Sequence, residues 1–467
     1  EEMFLRGVNR HQEYPYIGYA LSDNAQYRDA RLIKEAGFDY VRLSHYPHSP
    51  AFMDACDELG LLVLDAIPGW QYFSDDPAFQ NQAIQTCRDM IRRDRNHACV
   101  LAWEVSLNES WMPEAFIDRA IAAAKEEFPG DQCFTAGWQS YGYDIYLQAR
   151  QHRVEHYEEP VKPYIVSEYG DWEYYAMNAG LNQHEWAGLK QEDRSSRQLL
   201  NSGEKRLLQQ AANIQEAHND NFNTPAFADG YWVMFDYNRG YTDDLEASGI
   251  MSIFRVPKFS YDFFRSQRNA EETSSLYSSG PMVSIVSYWD QNSTPLVKVF
   301  SNCEEVELSL NGEIISRQKP DTGRICSNLA HPPFTFDLKK FTPGKLIATG
   351  FIDGKSVISD TVATPGQPAA LRVWTDEKGK PAQAGVNDVL FVYAEVMDEN
   401  GNQVPVNDIP VQFSCSGDAE ILNPGSIGIT EAGIATALIR IGETPGEIII
   451  EAKSASLLER VIKFISY

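Results

Sequence analysis

Two glutamates stand at corresponding points of two apolar segments. The segment Ala98–Trp111 (ACVLAWEVSLNESW) is β-compatible until it reaches Asn108 and Glu109. The segment Pro163–Asp171 (PYIVSEYGD) has the same form and ends in Glu168. A parallel barrel delivers side chains to its mouth at such strand ends, although a buried strand followed by an ordinary polar loop would give the same pattern. Two strand-terminal glutamates on one barrel could be the acid/base and the nucleophile of glycoside hydrolysis.

Strand-like and helix-like segments alternate over residues 1–270. The helical patterns Ala25–Ala36 and Pro50–Leu59 are each followed by a glycine, and Pro77–Arg93 and Pro113–Glu127 begin with proline. Eight strand–helix units over about 270 residues are what a (β/α)8 barrel requires. A doubly wound open sheet is the competing architecture, but no glycine-rich phosphate loop follows the first strand. The predicted strands are Phe4–His11, Tyr40–Tyr46, Leu61–Ile67, Cys99–Leu107, Cys133–Trp138, Asp144–Gln148, Tyr164–Glu168 and Ala226–Phe235.

The pattern changes after residue 275, where short alternating runs separated by turn residues replace the helices. Asn311-Gly312 lies between two such runs and is a strong hairpin signal. Thr364–Pro368 (TPGQP) is typical of a linker. We therefore predict a multidomain chain, with a (β/α)8 TIM barrel over 1–272 and two all-β immunoglobulin-like sandwiches over 276–364 and 369–467. We expect the sandwiches to have a structural or spacer role.

The composition limits the classes of partner. The formal charge of −26 would repel nucleic acid and anionic membrane surfaces, so we expect neither as a partner. No apolar run approaches the roughly 20 residues that span a bilayer, so no membrane insertion is expected. Cys303 and Cys326 would form a disulfide only if the fold brought them together. Assembly into a homo-oligomer is compatible with the sequence.

Five motifs together resemble glycoside hydrolase family 2, the family of β-galactosidases, β-glucuronidases and β-mannosidases. They occur in the family's order and are spread over most of residues 1–270. The resemblance implies a catalytic barrel that follows a sugar-binding sandwich and an immunoglobulin-like domain. The motifs are RGVNRHQEYP (Arg6–Pro15), VRLSHYPHSPAFMDACDELGLLVLD (Val41–Asp65), LNE (Leu107–Glu109), SEYG (Ser167–Gly170) and DGYWVMFDY (Asp229–Tyr237).

No signal sequence is recognisable at the start of the given sequence, and Phe4–Asn9 already has the pattern of a β-strand. We therefore expect an upstream part, which corresponds to the two family domains before the barrel, to be absent. Any compartment signal would be lost with it. We expect a periplasmic or secreted protein, with the cytoplasm as the alternative.

The resemblance assigns roles to residues at the strand ends. It implies that Glu109 is the general acid/base and Glu168 the nucleophile of a retaining mechanism. Arg42 would hold Glu168 ionised, because a neighbouring cation lowers a carboxyl pKa, unless it pairs with some other acid in the barrel core. His48 is expected in a loop or at the surface. The other substrate-binding residues that the resemblance implies are Asn108, His11, His45 and Trp232. Four aromatic residues near strand ends could form outer subsites, with plain packing as the alternative: Trp70, Trp138, Tyr72 and Trp111.

The sequence departs from the family pattern at three places. One extra residue separates Trp103 from Asn108, which predicts a bulge in the fourth strand and makes Glu104 a rival of Glu109. The sixth strand lacks the family's tyrosine at the matching position, since Tyr146 lies earlier. The family's Glu and His metal ligands are missing after the third strand, so we expect neither a catalytic metal nor another cofactor.

The segment Glu246–Ser248 stands where family β-glucuronidases carry Asn-x-Lys to hold a carboxylate. A glutamate there would repel an acidic sugar. The resemblance therefore implies a retaining exo-β-glycosidase that hydrolyses neutral β-glycosides, with β-galactosides first. β-Mannosides, β-glucosides and galactan oligosaccharides are the alternative substrates, and a non-catalytic carbohydrate-binding protein is the alternative from another class.

Overall fold

The computed structural model of this chain describes residues 3–130, 133–134, 139, 141–148, 161–170, 195–239, 245–455 and 457–467. The chain forms two compact units, each assembled from separate stretches of sequence. The first unit comprises Glu1–Gln12, Ile33–Arg197 and Ala212–Ile250, and the second comprises Glu13–Leu32, Gln198–Ala211 and Met251–Tyr467.

Among the described residues, eight parallel strands form the sheet of the first unit, and five helices alternate with them along the sequence. The strands are β1 (Leu5–Arg10), β2 (Tyr40–Leu43), β3 (Leu62–Ala66), β4 (Val100–Glu104), β5 (Cys133–Phe134), β6 (Tyr146–Gln148), β7 (Tyr164–Tyr169) and β8 (Ala228–Tyr231). The helices are α1 (Asp23–Glu35), α2 (Pro50–Leu59), α3 (Pro77–Asp94), α4 (Glu114–Glu127) and α5 (Glu204–Asn221).

The first strand of this sheet pairs with both the second and the last. The strand order is β5-β4-β3-β2-β1-β8-β7-β6, with Val8 opposite Val41 and Leu5 opposite Ala228. A (β/α)8 barrel requires its first strand to pair with its eighth, whereas an open doubly wound sheet does not bring these two strands together. The predicted (β/α)8 barrel is therefore confirmed.

The ends of α2 show how particular residues determine where a helix begins and ends. The Ser49 hydroxyl accepts a hydrogen bond from the backbone N–H of Ala51, and Pro50 occupies the first turn, where its missing N–H costs nothing. Gly60 ends the helix in the left-handed conformation, with φ of 67°. The predicted bounds of this helix are confirmed.

The barrel interior changes from apolar to polar towards the carboxyl ends of its strands. Tyr40 on β2 and Ala102 on β4 belong to an apolar layer that also contains Leu5, Leu64, Leu147, Ile165 and Ala228. Side chains two residues apart on a strand share one face, so Arg42 and Glu104 also point inward, one layer nearer the mouth. A buried polar layer thus lies directly above the apolar core.

A sandwich of two antiparallel sheets begins the C-terminal part of the chain. Its strands are β11 (Val283–Ile285), β12 (Leu296–Ser301), β13 (Glu305–Leu310), β14 (Glu313–Gln318), β15 (Phe334–Asp337), β16 (Lys345–Ile352) and β17 (Lys355–Ala363), preceded by α6 (Phe259–Ser266). One sheet is β11-β12-β15 and the other β14-β13-β16-β17. Both sheets contribute to one core that includes Trp289, Phe334 and Leu346.

Two local predictions fall in this sandwich. The turn between β13 and β14 has positive φ at both central residues, 54° at Asn311 and 84° at Gly312, as a tight hairpin of this type requires. The Asn-Gly hairpin is therefore confirmed. Cys303 and Cys326 are both buried free thiols, so the conditional disulfide between them does not form.

A second sandwich completes the chain. Its strands are β18 (Ala370–Thr375), β19 (Val389–Met397), β20 (Pro410–Ser416), β21 (Ala419–Ile421), β22 (Ile427–Ile429), β23 (Ile434–Ile441), β24 (Gly446–Ser454) and β25 (Leu457–Ser466). They follow the order β21-β23-β19-β18-β25-β24-β20-β22 around one apolar core. The fold class is thus as predicted, a barrel followed by two all-β sandwiches, while the domain boundaries at 272, 276, 364 and 369 stay a prediction.

Two stretches from within the barrel's part of the sequence belong to the second unit. One of them, Glu13–Leu32, carries Arg28, which donates to both carboxylate oxygens of Asp388 at 3.0 and 2.9 Å and to the backbone carbonyl of Val389 at 2.9 Å. Both side chains are almost fully buried. Buried ion pairs of this kind are strongly destabilising to break, because either partner left alone is an unpaired buried charge.

Within the described residues, the helices are too short or too polar for any of them to cross a bilayer.

Candidate active site

A single arginine joins two carboxylates in the buried polar layer of the barrel. Arg42 on β2 donates to both oxygens of Glu104, from Nε at 2.8 Å and from Nη2 at 2.6 Å. Its third nitrogen, Nη1, donates to Glu168 Oε1 at 2.8 Å. Burial favours loss of the arginine's proton, but the charges of both glutamates outweigh burial and raise the pKa of Arg42 above its usual value. The arginine therefore stays charged and favours the ionised form of Glu168.

Two asparagines complete the contacts of this arginine. Asn9 Oδ1 accepts from Arg42 Nη1 at 3.1 Å, and Asn108 Oδ1 accepts from Nη2 at 3.1 Å. Asn9 also donates from Nδ2 to the carbonyl of Ser167 at 2.8 Å. Asn9 thus holds both the arginine and the backbone just before Glu168. It lies inside a quoted motif, yet the sequence prediction did not single it out.

The predicted acid/base, Glu109, lies on a loop that continues the pairing of β3 with β4. Trp70 pairs with Asn108 in a parallel bridge, and the backbone N–H of Gln71 donates to the Asn108 carbonyl at 2.8 Å. The Gln71 side chain donates from Nε2 to Glu109 Oε2 at 2.7 Å. Glu109 is half-buried and is not among the hydrogen-bond partners of Arg42 described above, which distinguishes it from Glu104.

The predicted bulge lies elsewhere. Ala66 opposes Glu104 and Trp70 opposes Asn108, so the register is the same on both sides of the extra residue. The register instead shifts at Leu101, which has no partner between Val100 and Ala102. The predicted bulge in the fourth strand is therefore present, but it lies before Trp103 and not between Trp103 and Asn108.

Four aromatic rings pack together beside these carboxylates. His45 stacks on Trp232 with ring centroids 5.3 Å apart, and its Nε2 lies 3.8 Å from Glu168 Oε1. His11 stacks on Tyr237 at 4.2 Å and meets Trp232 edge-on at 5.5 Å. The peptide bonds that precede His45 and follow Trp232 are both cis. The structure therefore brings together the two predicted histidines and the predicted tryptophan.

Burial lowers the pKa of both His11 and His48 and keeps these two side chains neutral. It lowers the pKa of His11 to about 3, with further lowering from the charges of Arg239, Arg10 and Arg42. A neutral imidazole has one donor and one acceptor nitrogen, which suits the hydroxyl groups of a sugar. His48 is also buried, and its Nδ1 lies 3.1 Å from Arg10 Nη1. It stands in the loop between β2 and α2, as predicted, but not at the surface.

A short hairpin follows β8 and adds a charged pair that the sequence prediction missed. Its strands are β9 (Tyr237–Asn238) and β10 (Leu245–Glu246). Arg239 and Glu246 form an ion pair across it, and Glu246 also accepts from the Ser248 hydroxyl at 2.9 Å. Glu246 is therefore partnered, which weakens the expected repulsion of an acidic sugar.

The remaining predicted binding residues are two tryptophans. Trp70 is 44% exposed, and its ring lies 6.1 Å from that of His45. Trp138 lies outside the described residues. Tyr146 on β6 is buried and pairs in register with Tyr164 of β7.

Comparison with known proteins gives matches along most of the chain. The family model described as "Glycosyl hydrolases family 2, TIM barrel domain" matches residues 1–129, and "Glycoside hydrolase family 2 C-terminal domain 5" matches residues 373–463. A domain of unknown function matches residues 293–358. A β-galactosidase of Thermoanaerobacter pseudethanolicus is 34% identical over 98% of this chain and 61% of its own length. The chain belongs to glycoside hydrolase family 2.

Two solved structures share the fold over the whole chain, and a further sequence relative matches nearly all of it. A structure of a family 2 β-glucuronidase superposes with a TM-score of 0.77 at 23% identity, covering 100% of this chain and 49% of that one. A β-glycosidase from Bacteroides vulgatus gives a TM-score of 0.72 at 19% identity, covering 100% of this chain and 64% of that one. A putative β-glucuronidase of Formosa agariphila is 22% identical over 97% of this chain and 58% of its own length. The chain thus spans about three fifths of the two sequence relatives named.

One group of potential metal ligands occurs among the described residues of this family 2 chain. Ligand atoms of Asp57, His97 and Cys99 lie within 4.8 Å of one another. Asp57 accepts from the Cys99 backbone N–H at 2.7 Å and lies 2.7 Å from His97 Nδ1, so hydrogen bonds account for the arrangement. Cys99 directly precedes β4, at the opposite end of that strand from Glu109.

Proposed function

We propose that this chain contains the catalytic barrel of a retaining exo-β-glycosidase that hydrolyses neutral β-glycosides, with β-galactosides as the first candidates. The observation that carries the proposal is the Arg42–Glu168 ion pair at the end of β7, with Glu109 on the loop that follows β4. A retaining enzyme needs one ionised carboxylate as nucleophile and a second carboxyl group about 5–5.5 Å away as acid/base.

In the first step, Glu168 attacks the anomeric carbon while Glu109 gives its proton to the departing oxygen. The glycosyl ester that forms is neutral, so Arg42 loses one of its two anionic partners. Glu104 keeps its two hydrogen bonds to the guanidinium and holds Arg42 in place through the intermediate. In the second step, the oxygen of a water molecule attacks the anomeric carbon while Glu109 accepts a proton from that water, and Glu168 leaves as the carboxylate that Arg42 favours.

Neutral rings and partnered charges around Glu168 support a neutral sugar. His11 is held neutral by burial, and the polar atoms of Asn108 and His45 lie beside it, with Asn108 Nδ2 3.3 Å from His45 Nε2. Arg42 already binds two carboxylates, and Arg239 is paired with Glu246. A galactoside is favoured because the relative with the highest identity quoted above is named a β-galactosidase.

A β-glucuronide is the second candidate. Two observations favour it: the charge of Arg239 acts on His11, and one relative is named a putative β-glucuronidase. Against it, the arginine's charge is already neutralised by Glu246. The sugar carboxylate would have to displace that glutamate to bind Arg239.

Covalent trapping tests the proposal. Incubation with a 2-deoxy-2-fluoro-β-galactoside that carries a good leaving group should add one label to the peptide containing Glu168, seen by intact mass and peptide mapping. The Glu168→Gln variant should take no label. A label on another carboxylate would refute the nucleophile assignment. Labelling by the matching 2-fluoro-glucuronide instead would replace galactoside by glucuronide.

We also propose a carbohydrate as the partner and keep the periplasmic or secreted location as part of the proposal. Fractionation of the source cells, with the chain detected by antibody, tests the location. Recovery in the cytoplasmic fraction alone would refute it.

A further inference from the structure

Three exposed aromatic side chains lie on the two loops that form the acid/base region. Trp70 and Tyr72 follow β3 and are 44% and 63% exposed, and Trp111 follows β4 and is 70% exposed. A single exposed aromatic residue needs no explanation. Three on paired loops, two of them directly beside the Gln71–Glu109 hydrogen bond, form an aromatic surface.

Hydrogen bonds fix these two loops to each other. The backbone N–H of Asn108 donates to the Gly69 carbonyl at 3.0 Å, and that of Gln71 donates to the Asn108 carbonyl at 2.8 Å. Further out, the Tyr72 N–H donates to the Ser110 hydroxyl at 3.0 Å, and that hydroxyl lies 3.2 Å from the Tyr72 carbonyl. The backbone under the rings is thus held before any ligand arrives, which lowers the entropy cost of binding.

The chemistry of Glu109 says which part of a substrate these loops meet. The acid/base gives its proton to the oxygen of the leaving group, whereas the nucleophile contacts the sugar that stays behind. Side chains next to the acid/base therefore face the leaving group. Exposed aromatic faces with fixed backbones suit the C–H faces of a pyranose ring, which is amphipathic and weakly hydrated on one side.

We propose that Trp70, Tyr72 and Trp111 form the binding site for the leaving group, and that this leaving group is a second sugar ring. The natural substrate would then be a β-linked oligosaccharide rather than a glycoside of a small alcohol. This inference rests on the proposed function, because it takes Glu109 as the acid/base. Trp70 forms the inner edge of the site, since its ring lies 6.1 Å from that of His45.

Steady-state selectivity is the first test. The ratio of kcat/KM for lactose to kcat/KM for methyl β-galactoside should fall about tenfold in Trp111→Ala, and by a similar factor in Tyr72→Ala. Tyr467→Ala, which removes a comparably exposed aromatic ring of the second sandwich, is the control and should keep the ratio of the parent chain. An unchanged ratio in both loop variants overturns the inference. A fall confined to 4-nitrophenyl β-galactoside, with lactose unaffected, overturns the choice of a sugar.

Reactivation of the trapped enzyme is the second test, and it separates this inference from the proposed function. Trapping with 2-deoxy-2-fluoro-β-galactosyl fluoride releases only fluoride, so no leaving-group ring is needed. Added glucose should then speed reactivation: its hydroxyl oxygen attacks the anomeric carbon, Glu168 leaves as a carboxylate, and the hydroxyl proton passes to Glu109. The acceleration should saturate with glucose and should be largely lost in Trp111→Ala.

The two failures are distinguishable. If the parent chain is not trapped by the galactosyl fluoride, the proposed galactosidase function fails. If it is trapped but glucose gives the same acceleration in the parent chain and in Trp111→Ala, the leaving-group site alone is refuted.

Discussion

Gln71 donates its side-chain amide to Glu109 across two paired loops, and both residues have left-handed backbone conformations, with φ of 53° and 49°. Such conformations cost free energy in residues other than glycine and persist where the surrounding structure enforces them. The loop pairing through Asn108 supplies that constraint. Gln71 is therefore a positioning residue for the proposed acid/base.

Replacing Gln71 should affect substrates according to their leaving groups. In Gln71→Ala, kcat/KM for methyl β-galactoside should fall about tenfold, because a poor leaving group depends on a well-placed acid. The loss should be much smaller with 2,4-dinitrophenyl β-galactoside, which needs little protonation. A similar loss with both substrates would mean that the variant disturbs the loop rather than the acid. Gln85→Ala, on the exposed side of α3, is the control.

Glu104 and Glu109 should respond differently to truncation. Glu109→Ala should lose at least about a hundredfold in kcat/KM for poor leaving groups, and added azide should restore turnover of an activated aryl galactoside as the glycosyl azide. Glu104→Ala should not be rescued by azide. It should also be destabilised by about 3–5 kcal/mol, because Arg42 loses its bidentate partner in the barrel interior.

Azide rescue and denaturant unfolding of both variants check this assignment. Azide rescue of the Glu104 variant, with none for the Glu109 variant, would exchange the two roles.

The pKa of His11 predicts how stability depends on pH. This pKa is about 3 in the folded chain against 6.5 for an unperturbed histidine. Below pH 6.5 the unfolded chain therefore binds a proton that the folded chain does not, so the free energy of unfolding falls as the pH falls. The contribution of His11 to this fall is about 2 kcal/mol at pH 5. It vanishes above about pH 7 and continues to grow down to about pH 3.

Denaturant unfolding at pH 7 and pH 5 measures this effect. His11→Asn should lose about 2 kcal/mol less between the two pH values than the parent chain. His331→Gln, which removes a partly exposed histidine, is the matched control. Equal losses in the parent chain and in His11→Asn would mean that His11 takes up its proton in the folded state.

Much of this site could be predicted from residue order alone, because a parallel barrel brings all strand ends to one mouth. Glu109 and Glu168 each follow an apolar strand, so their placement needed only the strand count. The role of Glu104 could not be predicted in the same way. It depends on the register of β4 relative to β2, because this register determines whether the Glu104 side chain points into the barrel at the level of Arg42. Arg42 then contacts two carboxylates, those of Glu104 and Glu168, and not one.

Other features depend on contacts between residues distant in sequence. His48 stands in a polar, turn-like segment, yet Arg10 lies against it in the interior. The packing of Glu13–Leu32 with the C-terminal sandwich leaves no local signal, since α1 has an ordinary helical pattern along its whole length. Periodicity reports which face of an element is buried but not what covers it.

The buried Arg28–Asp388 pair predicts a large loss of stability on truncation. Arg28→Ala should lower the free energy of unfolding of the second unit by about 3–5 kcal/mol, because Asp388 would remain as an unpaired buried charge. The double variant Arg28→Met, Asp388→Leu should lose less than either single truncation, since it removes both charges. Arg440→Ala, from an exposed pair with Glu420, should change stability by less than about 1 kcal/mol. Denaturant unfolding compares them, and a small loss in Arg28→Ala would mean that water reaches the pair.

Glu246 sets the charge that a substrate meets at Arg239. In Glu246→Gln the arginine loses its anionic partner, so an acidic sugar should bind better relative to a neutral one. The ratio of kcat/KM for 4-nitrophenyl β-glucuronide to that for 4-nitrophenyl β-galactoside should rise about tenfold. The double variant Glu246→Gln, Arg239→Ala should return the ratio to the parent value, because the uncovered cation is gone. A ratio that stays high in the double variant would show that the change comes from the hairpin backbone and not from the charge of Arg239.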